Sequence, residues 1–358
     1  GEIKTLPAPY GDKYLLSFSP DGKWLAYFGF EGEDLHYKNQ GLWIVPVDGS
    51  KPAKNITASF DFHVSAWTIN DMGEPEFIPP TWSHDSQRIY FQVAEHGCTL
   101  LKSIKIDGSD IKDVINEPGV VGSFSWNADQ TKMAYIFGNL YDPCQLYLYE
   151  ANAKTKHCLT DINSSLLKNI QLGEVEEVWF KGPDENDLQG WVIKPPDFDP
   201  TKQYPAIIEI HGGPMTQYGF FFMHEFNYFT SHGFVVCFCN PRGGRGYGEE
   251  HTKAIWKDWG SKDYQDIMAW TDKVETLPFV DKSKIGVTGG SYGGYMTVWL
   301  IGHTQRYKAA VTQRCVSNLI SMWGSSDFNW AFQVELANGT PFEDLNTYWD
   351  QSPIKYIG

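Results

Sequence analysis

Residues 285–293 constrain the fold of this chain more than any other stretch. A β-like apolar run, 285–288, leads into Gly289-Gly290-Ser291-Tyr292-Gly293, and a helical run starting near Tyr292 leads out. A strand that turns this sharply into a helix crowds its own corner, so the flanking positions need glycine to avoid Cβ clashes. Such a corner lifts the Ser291 hydroxyl above the edge of a sheet. The helix behind it aims its N-terminal N–H groups at any negative charge that develops there. The bare G-x-S-x-G pattern arises by chance; the strand before it and the helix after it give it weight. The plain alternative is a Gly-rich turn with an idle serine.

Ser291 is therefore the expected nucleophile of a serine hydrolase of the α/β-hydrolase type. Such an enzyme needs a second backbone N–H for its oxyanion hole, drawn from the loop after an early strand. His211-Gly212-Gly213-Pro214 follows the apolar run 206–210 and fits that place. Glycines there let the backbone approach a substrate carbonyl closely. The Gly213 N–H and the Tyr292 N–H are the expected oxyanion donors. His211 reads as a loop-shaping residue, not a base. An ordinary β-turn would explain the four residues too, but their position upstream of the elbow argues against it.

A serine needs a histidine base oriented by an acid, and in this fold the chain order is Ser, then Asp or Glu, then His. The sequence after Ser291 holds one histidine, His303, twelve positions on at the far end of the same helix. A helix of that length carries it roughly 18 Å from the hydroxyl. Asp327, Asp344 and Asp350 precede no suitable histidine. The acid and base are expected beyond the end of this chain, and the 358 residues alone are expected to be inactive.

Periodicity divides the chain in two. The first half reads as short alternating strands with a weak repeat: Asp, three residues, apolar, any, aromatic. It occurs as Asp21–Leu25–Tyr27, Asp85–Ile89–Phe91 and Asp129–Met133–Tyr135, preceded by Phe18, Trp82 and Trp126. Further β-like runs follow at 42–47, 100–106 and 145–149, with Asp48-Gly49 and Asp107-Gly108 as turns. The Asp-to-Asp steps are 64 and 44 residues. The second matches a four-stranded propeller blade of about 40–50 residues, and the first calls for an insertion around residues 60–80. From about Val175 the pattern changes. Runs 175–180 and 188–194 suggest a hairpin across Gly182-Pro183-Asp184. Four apolar runs follow, at 206–210, 234–238, 285–288 and 309–311, with helical segments such as 262–274 and 292–303 between the last three. Strands alternating with helices imply a mostly parallel sheet. The expected architecture is a partial β-propeller of about three blades over residues 1–168. An α/β-hydrolase domain, incomplete at its C-terminus, follows over residues 169–358. An ordinary antiparallel β-domain with chance similarity is the alternative for the first part.

The bulk properties narrow the partners. The net charge is −15 with no run of Lys or Arg, which argues against nucleic acid. No stretch of about 20 apolar residues is present, so no membrane span is expected. Six cysteines lack any C-x-x-C pair. They read as buried free thiols, with no metal site and no cofactor, and point to a reducing, cytoplasmic setting. The chain starts at Gly1 and not at Met, so its natural start, and any signal with it, is expected to lie outside this sequence. A homo-oligomer stays open.

The residue run Thr288-Gly289-Gly290-Ser291-Tyr292-Gly293-Gly294-Tyr295-Met296 resembles the nucleophile region of the prolyl oligopeptidase family of serine peptidases. It is most similar to the acylaminoacyl-peptidase and dipeptidyl-peptidase 5-like branch. The stretch Asn240-Pro241-Arg242-Gly243-Gly244-Arg245-Gly246-Tyr247-Gly248 resembles that branch as well. So do Asp258-Trp259-Gly260, His211 to Pro214 and His224-Glu225-Phe226. The match is dense from about Val175 to Ile357 and looser before it. The resemblance implies a β-propeller lid over an α/β-hydrolase domain and cleavage of short peptides in exo- or oligopeptidase mode. It implies Ser291 as nucleophile, the Gly213 and Tyr292 amides as oxyanion donors, and an Asp and a His further along than this sequence reaches. Arg242, Arg245, Asp258 and Trp259 read as structural. Two other functions stay open: a carboxylesterase or thioesterase with the same acyl-transfer machinery, and a non-catalytic binding protein that uses the β-domain.

Overall fold

The three repeated aspartates close turns. Asp21 Oδ1 accepts from the Ser19 hydroxyl at 2.7 Å and the Lys23 N–H at 3.1 Å. Asp85 Oδ1 accepts from the Ser83 hydroxyl at 2.6 Å and the Gln87 N–H at 3.0 Å. Asp129 Oδ1 accepts from the Thr131 hydroxyl at 2.6 Å and its N–H at 3.1 Å. A short carboxylate that bonds the backbone two residues on stabilises a tight reversal, which is why the repeat carries Asp.

The computed structural model describes residues 3–32, 35–73 and 77–357. The first part contains β1 (Lys13–Phe18), β2 (Trp24–Gly29), β3 (Gly41–Pro46), β4 (Lys54–Asn55), β5 (His63–Val64), β6 (Thr81–Trp82) and β7 (Arg88–Glu95). It continues with β8 (Cys98–Lys105), β9 (Lys112–Ile115), β10 (Val120–Trp126), β11 (Lys132–Gly138), β12 (Gln145–Glu150), β13 (Thr155–Cys158) and the single turn α1 (Ser164–Leu167). Among the described residues these strands form three four-strand antiparallel meanders: β1-β2-β3-β4, β6-β7-β8-β9 and β10-β11-β12-β13. The last two are joined by one parallel pairing, Val120 opposite Thr99. The repeat extends to the register: Phe18 lies opposite Leu25, Trp82 opposite Ile89, and Trp126 opposite Met133. The longer first step holds β5, which pairs with β7, and the loop after it; residues 74–76 of the expected insertion lie outside the described residues. Buried side chains such as Phe28, Leu42, Ile89 and Phe91 form one core, and Leu101, Val121, Met133 and Tyr135 another.

The second part contains β14 (Val175–Lys181), β15 (Asp187–Ile193), β16 (Tyr204–Ile210), α2 (His224–Ser231), β17 (Val235–Asn240), α3 (Glu249–Lys253) and α4 (Lys262–Glu275). Then come β18 (Val280–Gly290), α5 (Tyr292–His303), β19 (Ala309–Gln313), α6 (Leu319–Ser325), α7 (Asn329–Glu335) and α8 (Leu345–Asp350). The sheet order is β14-β15-β17-β16-β18-β19. The hairpin β14–β15 forms as the sequence suggests, from Val175 opposite Ile193 to Lys181 opposite Asp187. β15 meets β17 antiparallel, and the remaining pairings are parallel. The four apolar runs are the four strands β16 to β19, each carried one or more residues further than the run itself. Cys237 and Cys239 are buried on β17 with free thiols.

The chain divides into two compact units. The first runs to Ile170 and also takes in Gly219–Phe222 and Arg245–Glu249. The second comprises Gln171–Tyr218, Met223–Gly244 and the chain from Glu250 on. Within the first unit Arg245 donates to the carbonyls of Tyr37 at 2.9 Å and Lys38 at 3.0 Å, and to that of His36. Arg245 is therefore a buried anchor for its own loop.

Candidate active site

The parallel pairing of β16 with β18 places Ile210 opposite Gly289. The residues that leave these two strand ends are His211-Gly212-Gly213 on one side and Gly290-Ser291 on the other, so the two motifs meet at one sheet edge. A Cβ on Gly212 would lie 3.5 Å from the Ser291 Cβ and 3.3 Å from the Gly290 carbonyl.

Ser291 stands between β18 and α5 with φ +58° and ψ −119°. A left-handed φ on a residue with a Cβ costs of order 1–3 kcal/mol and persists only where the surroundings enforce it. Here the Ser291 N–H donates to the Gln313 carbonyl at 3.0 Å, and its own carbonyl accepts the Tyr295 N–H at 2.9 Å. The glycines beside it are needed for close approach. A Cβ on Gly293 would sit 2.0 Å from the Ile210 carbonyl oxygen, and one on Gly289 2.5 Å from the same atom. The Ser291 side is open to solvent, and among the described residues no side chain hydrogen-bonds its hydroxyl.

Behind the elbow, α5 is buried from Tyr292 through Leu300. Tyr292 and Tyr295 stack with centroids 5.6 Å apart, and Trp259 meets both edge-on at 5.0 and 5.3 Å. Each such fully buried aromatic contributes about 1.5–3 kcal/mol through lost water contact. The Tyr292 hydroxyl donates to Asp263 Oδ2 at the start of α4. Asp263 also accepts the Gly260 N–H at 3.0 Å and the Tyr264 N–H at 2.9 Å. Burial pushes the Asp263 carboxyl up to about 6, while these hydrogen bonds pull the other way. Burial likewise raises the Tyr292 phenol, and the Asp263 charge adds to it.

The loop 211–214 is held in a comparable way. His211 is fully buried, and burial pushes its imidazole down to about 4. The neutral ring donates from Nδ1 to the Gly212 carbonyl at 2.7 Å. The Thr216 hydroxyl donates to the same carbonyl at 2.6 Å. Gly213 has φ +118°, and a Cβ there would lie 2.7 Å from the Met215 nitrogen, so the turn requires glycine. Among the described residues neither the Gly213 N–H nor the Tyr292 N–H is taken by a partner. His303 closes α5 and donates from Nδ1 to the Trp299 carbonyl at 2.7 Å.

Arg242 pairs with Asp266 through its backbone N–H at 2.9 Å, Nε at 2.8 Å and Nη2 at 2.7 Å, and reaches Asp184 through Nη1. Asp258 is exposed in the turn before α4. Sequence patterning by motif does not single out Asp263 or Thr216. A signal for Asp263 does exist there: Asp263 and Asp266 fall on the apolar stripe of α4 with Ile267, Trp270 and Val274. Carboxylates on a buried helix face imply partners.

Residues 220–357, which hold Ser291 and the helices after it, match the model of the prolyl oligopeptidase family. The chain as a whole resembles members of that family. Similar proteins include an uncharacterized peptidase, YuxL, of Bacillus subtilis, 35% identical over 99% of this chain and 62% of its own length. Dipeptidyl-peptidase 5 of Porphyromonas gingivalis is 27% identical over 95% of this chain and 48% of its own. Among solved structures, the acylaminoacyl peptidase of Pyrococcus horikoshii superposes with a TM-score of 0.80 at 25% identity, over 94% of this chain and 50% of that one. The chain thus spans about half to three-fifths of the length of these proteins.

Proposed function

We propose that this chain is part of a serine peptidase that hydrolyses short peptides through an acyl-enzyme on Ser291. The observation that carries the reading is Ser291 at φ +58° between strand and helix, with the untaken N–H groups of Tyr292 and Gly213 on the two loops beside it. In the reaction the Ser291 oxygen attacks the peptide carbonyl carbon and its proton passes to a base. The oxyanion is held by the two amides, the C–N bond breaks, and the amine leaves with that proton. Water then cleaves the ester and restores the serine.

The base and acid are proposed to come from sequence following Gly358. Two features support this. The outer edge of β19 has no strand partner among the described residues, and Val311 on it is exposed. A largely apolar cavity of about 640 Å³ lies beside it, lined by Pro205, Phe229, Val287 and Val311 among others. Open edges and apolar patches of this kind are normally covered. The 358-residue chain by itself is accordingly proposed to be inactive.

The first unit is proposed to be part of a β-propeller, from the three meanders with equivalent turns and registers. The second unit is proposed to be the hydrolase domain. No helix among the described residues is long and apolar enough to cross a membrane, and a cytoplasmic setting is proposed from the free thiols. The test is side-by-side turnover of aminoacyl-anilides and p-nitrophenyl esters by the full-length gene product and its S291A variant. Anilide hydrolysis lost in S291A is expected; ester turnover without anilide turnover would make the protein an esterase.

A further inference from the structure

The peptide between Gly212 and Gly213 is held by its carbonyl. Thr216 Oγ lies 2.6 Å from that oxygen and His211 Nδ1 lies 2.7 Å from it. Two donors fill both lone pairs of the acceptor. Thr216 Oγ and His211 Nδ1 are themselves 3.3 Å apart. The Thr216 N–H donates to the Pro214 carbonyl at 2.7 Å, so the hydroxyl is carried on a closed turn and not on a free loop. In a planar trans peptide the C=O and the following N–H point in opposite directions. Fixing the Gly212 oxygen on the protein side therefore turns the Gly213 N–H away from it. Gly213 is exposed, and its N–H has no partner among the described residues.

We propose that Thr216, together with His211, is a positioning residue of the oxyanion hole: the pair clamps the Gly212–Gly213 peptide so that the Gly213 N–H faces the reacting carbonyl. This rests on the reading of Ser291 and Gly213 given above. Neither side chain touches substrate. A neutral, buried imidazole suits the task, because it offers one fixed N–H and adds no charge next to a developing anion. His211 alone would leave one lone pair of the carbonyl empty and the peptide free to tilt about a single bond. Thr216 supplies the second bond and so sets the plane.

The clamp would act on the transition state and not on ground-state binding. Removing an oxyanion donor outright lowers kcat by about 10²–10³, so loosening one that His211 still holds should lower it by roughly tenfold. The experiment uses the full-length gene product with T216V, T216A and T216S, each checked by thermal melting, on an aminoacyl-anilide and with a peptide aldehyde as a tetrahedral-adduct inhibitor. Expected are a roughly tenfold fall in kcat for T216V and T216A with KM within about twofold. The aldehyde should weaken by a similar factor, and T216S should return to near wild-type values. A folded T216V or T216A with wild-type kcat and aldehyde affinity overturns the clamp while leaving the Ser291 reading intact. A change in KM alone overturns it equally. If the wild-type protein does not react through Ser291 at all, both fall together.

Discussion

The Tyr292 side chain, one residue after the proposed nucleophile, hydrogen-bonds Asp263 in the first turn of α4. The bond joins two helices that meet the sheet separately, and it fixes the residue whose N–H is proposed to face the oxyanion. Tyr292→Phe should therefore destabilise the protein by about 2 kcal/mol, the range for removing a buried donor from a carboxylate. Chemical denaturation checks this; an unchanged midpoint would mean that the contact is incidental.

The same pair predicts a pH dependence. Burial pushes the Asp263 carboxyl from 3.8 to about 6, so the folded state holds this proton more tightly than the unfolded chain does. The stability it contributes is full below pH 3.8 and is lost as the pH rises through about 6. Comparing wild type with Asp263→Asn in urea from pH 4 to 7 isolates the group. The wild type should lose stability relative to the variant across that window, by at most about 3 kcal/mol. Parallel curves would contradict the assignment.

Arg242 tests a different support. Its guanidinium and backbone N–H make three hydrogen bonds to Asp266, whose side chain is fully buried. Arg242→Ala would strand that carboxylate and is expected to cost about 3–5 kcal/mol. Asp266→Asn added to it should recover part of the loss in a double-mutant cycle, because the stranded charge is then gone.

The elbow glycines make the sharpest steric prediction. Gly293→Ala places a methyl 2.0 Å from the Ile210 carbonyl, which is backbone and cannot swing aside. The variant should lose more than about 4 kcal/mol and express as insoluble or unfolded protein. Gly22→Ala, where nothing lies within 4 Å but φ is +69°, should cost only about 1 kcal/mol. Comparable melting temperatures for the two would refute the crowding argument.

What could be read ahead of the structure was local. The strand–elbow–helix at 285–303 and the hairpin β14–β15 announce themselves through short-range periodicity, glycines and turn residues. The repeated aspartates do so too, because each bonds atoms two residues away. The contacts that hold the site in place join residues far apart in sequence. Tyr292 meets Asp263 across 29 positions and Arg242 meets Asp266 across 24. No spacing rule connects such pairs; only the packing of α4 against α5 and against β17 makes them neighbours. Thr216 was invisible for another reason. A threonine five residues past a histidine has many uses, and the turn at Gly213 decides which carbonyl it meets.

The role of Ser291 can be read covalently. The full-length gene product is treated with a fluorophosphonate and digested, and the modified peptide is sequenced by mass spectrometry. A single adduct on Ser291, absent from S291A, is the predicted result. No adduct on folded protein, or an adduct on another residue that survives in S291A, would contradict it.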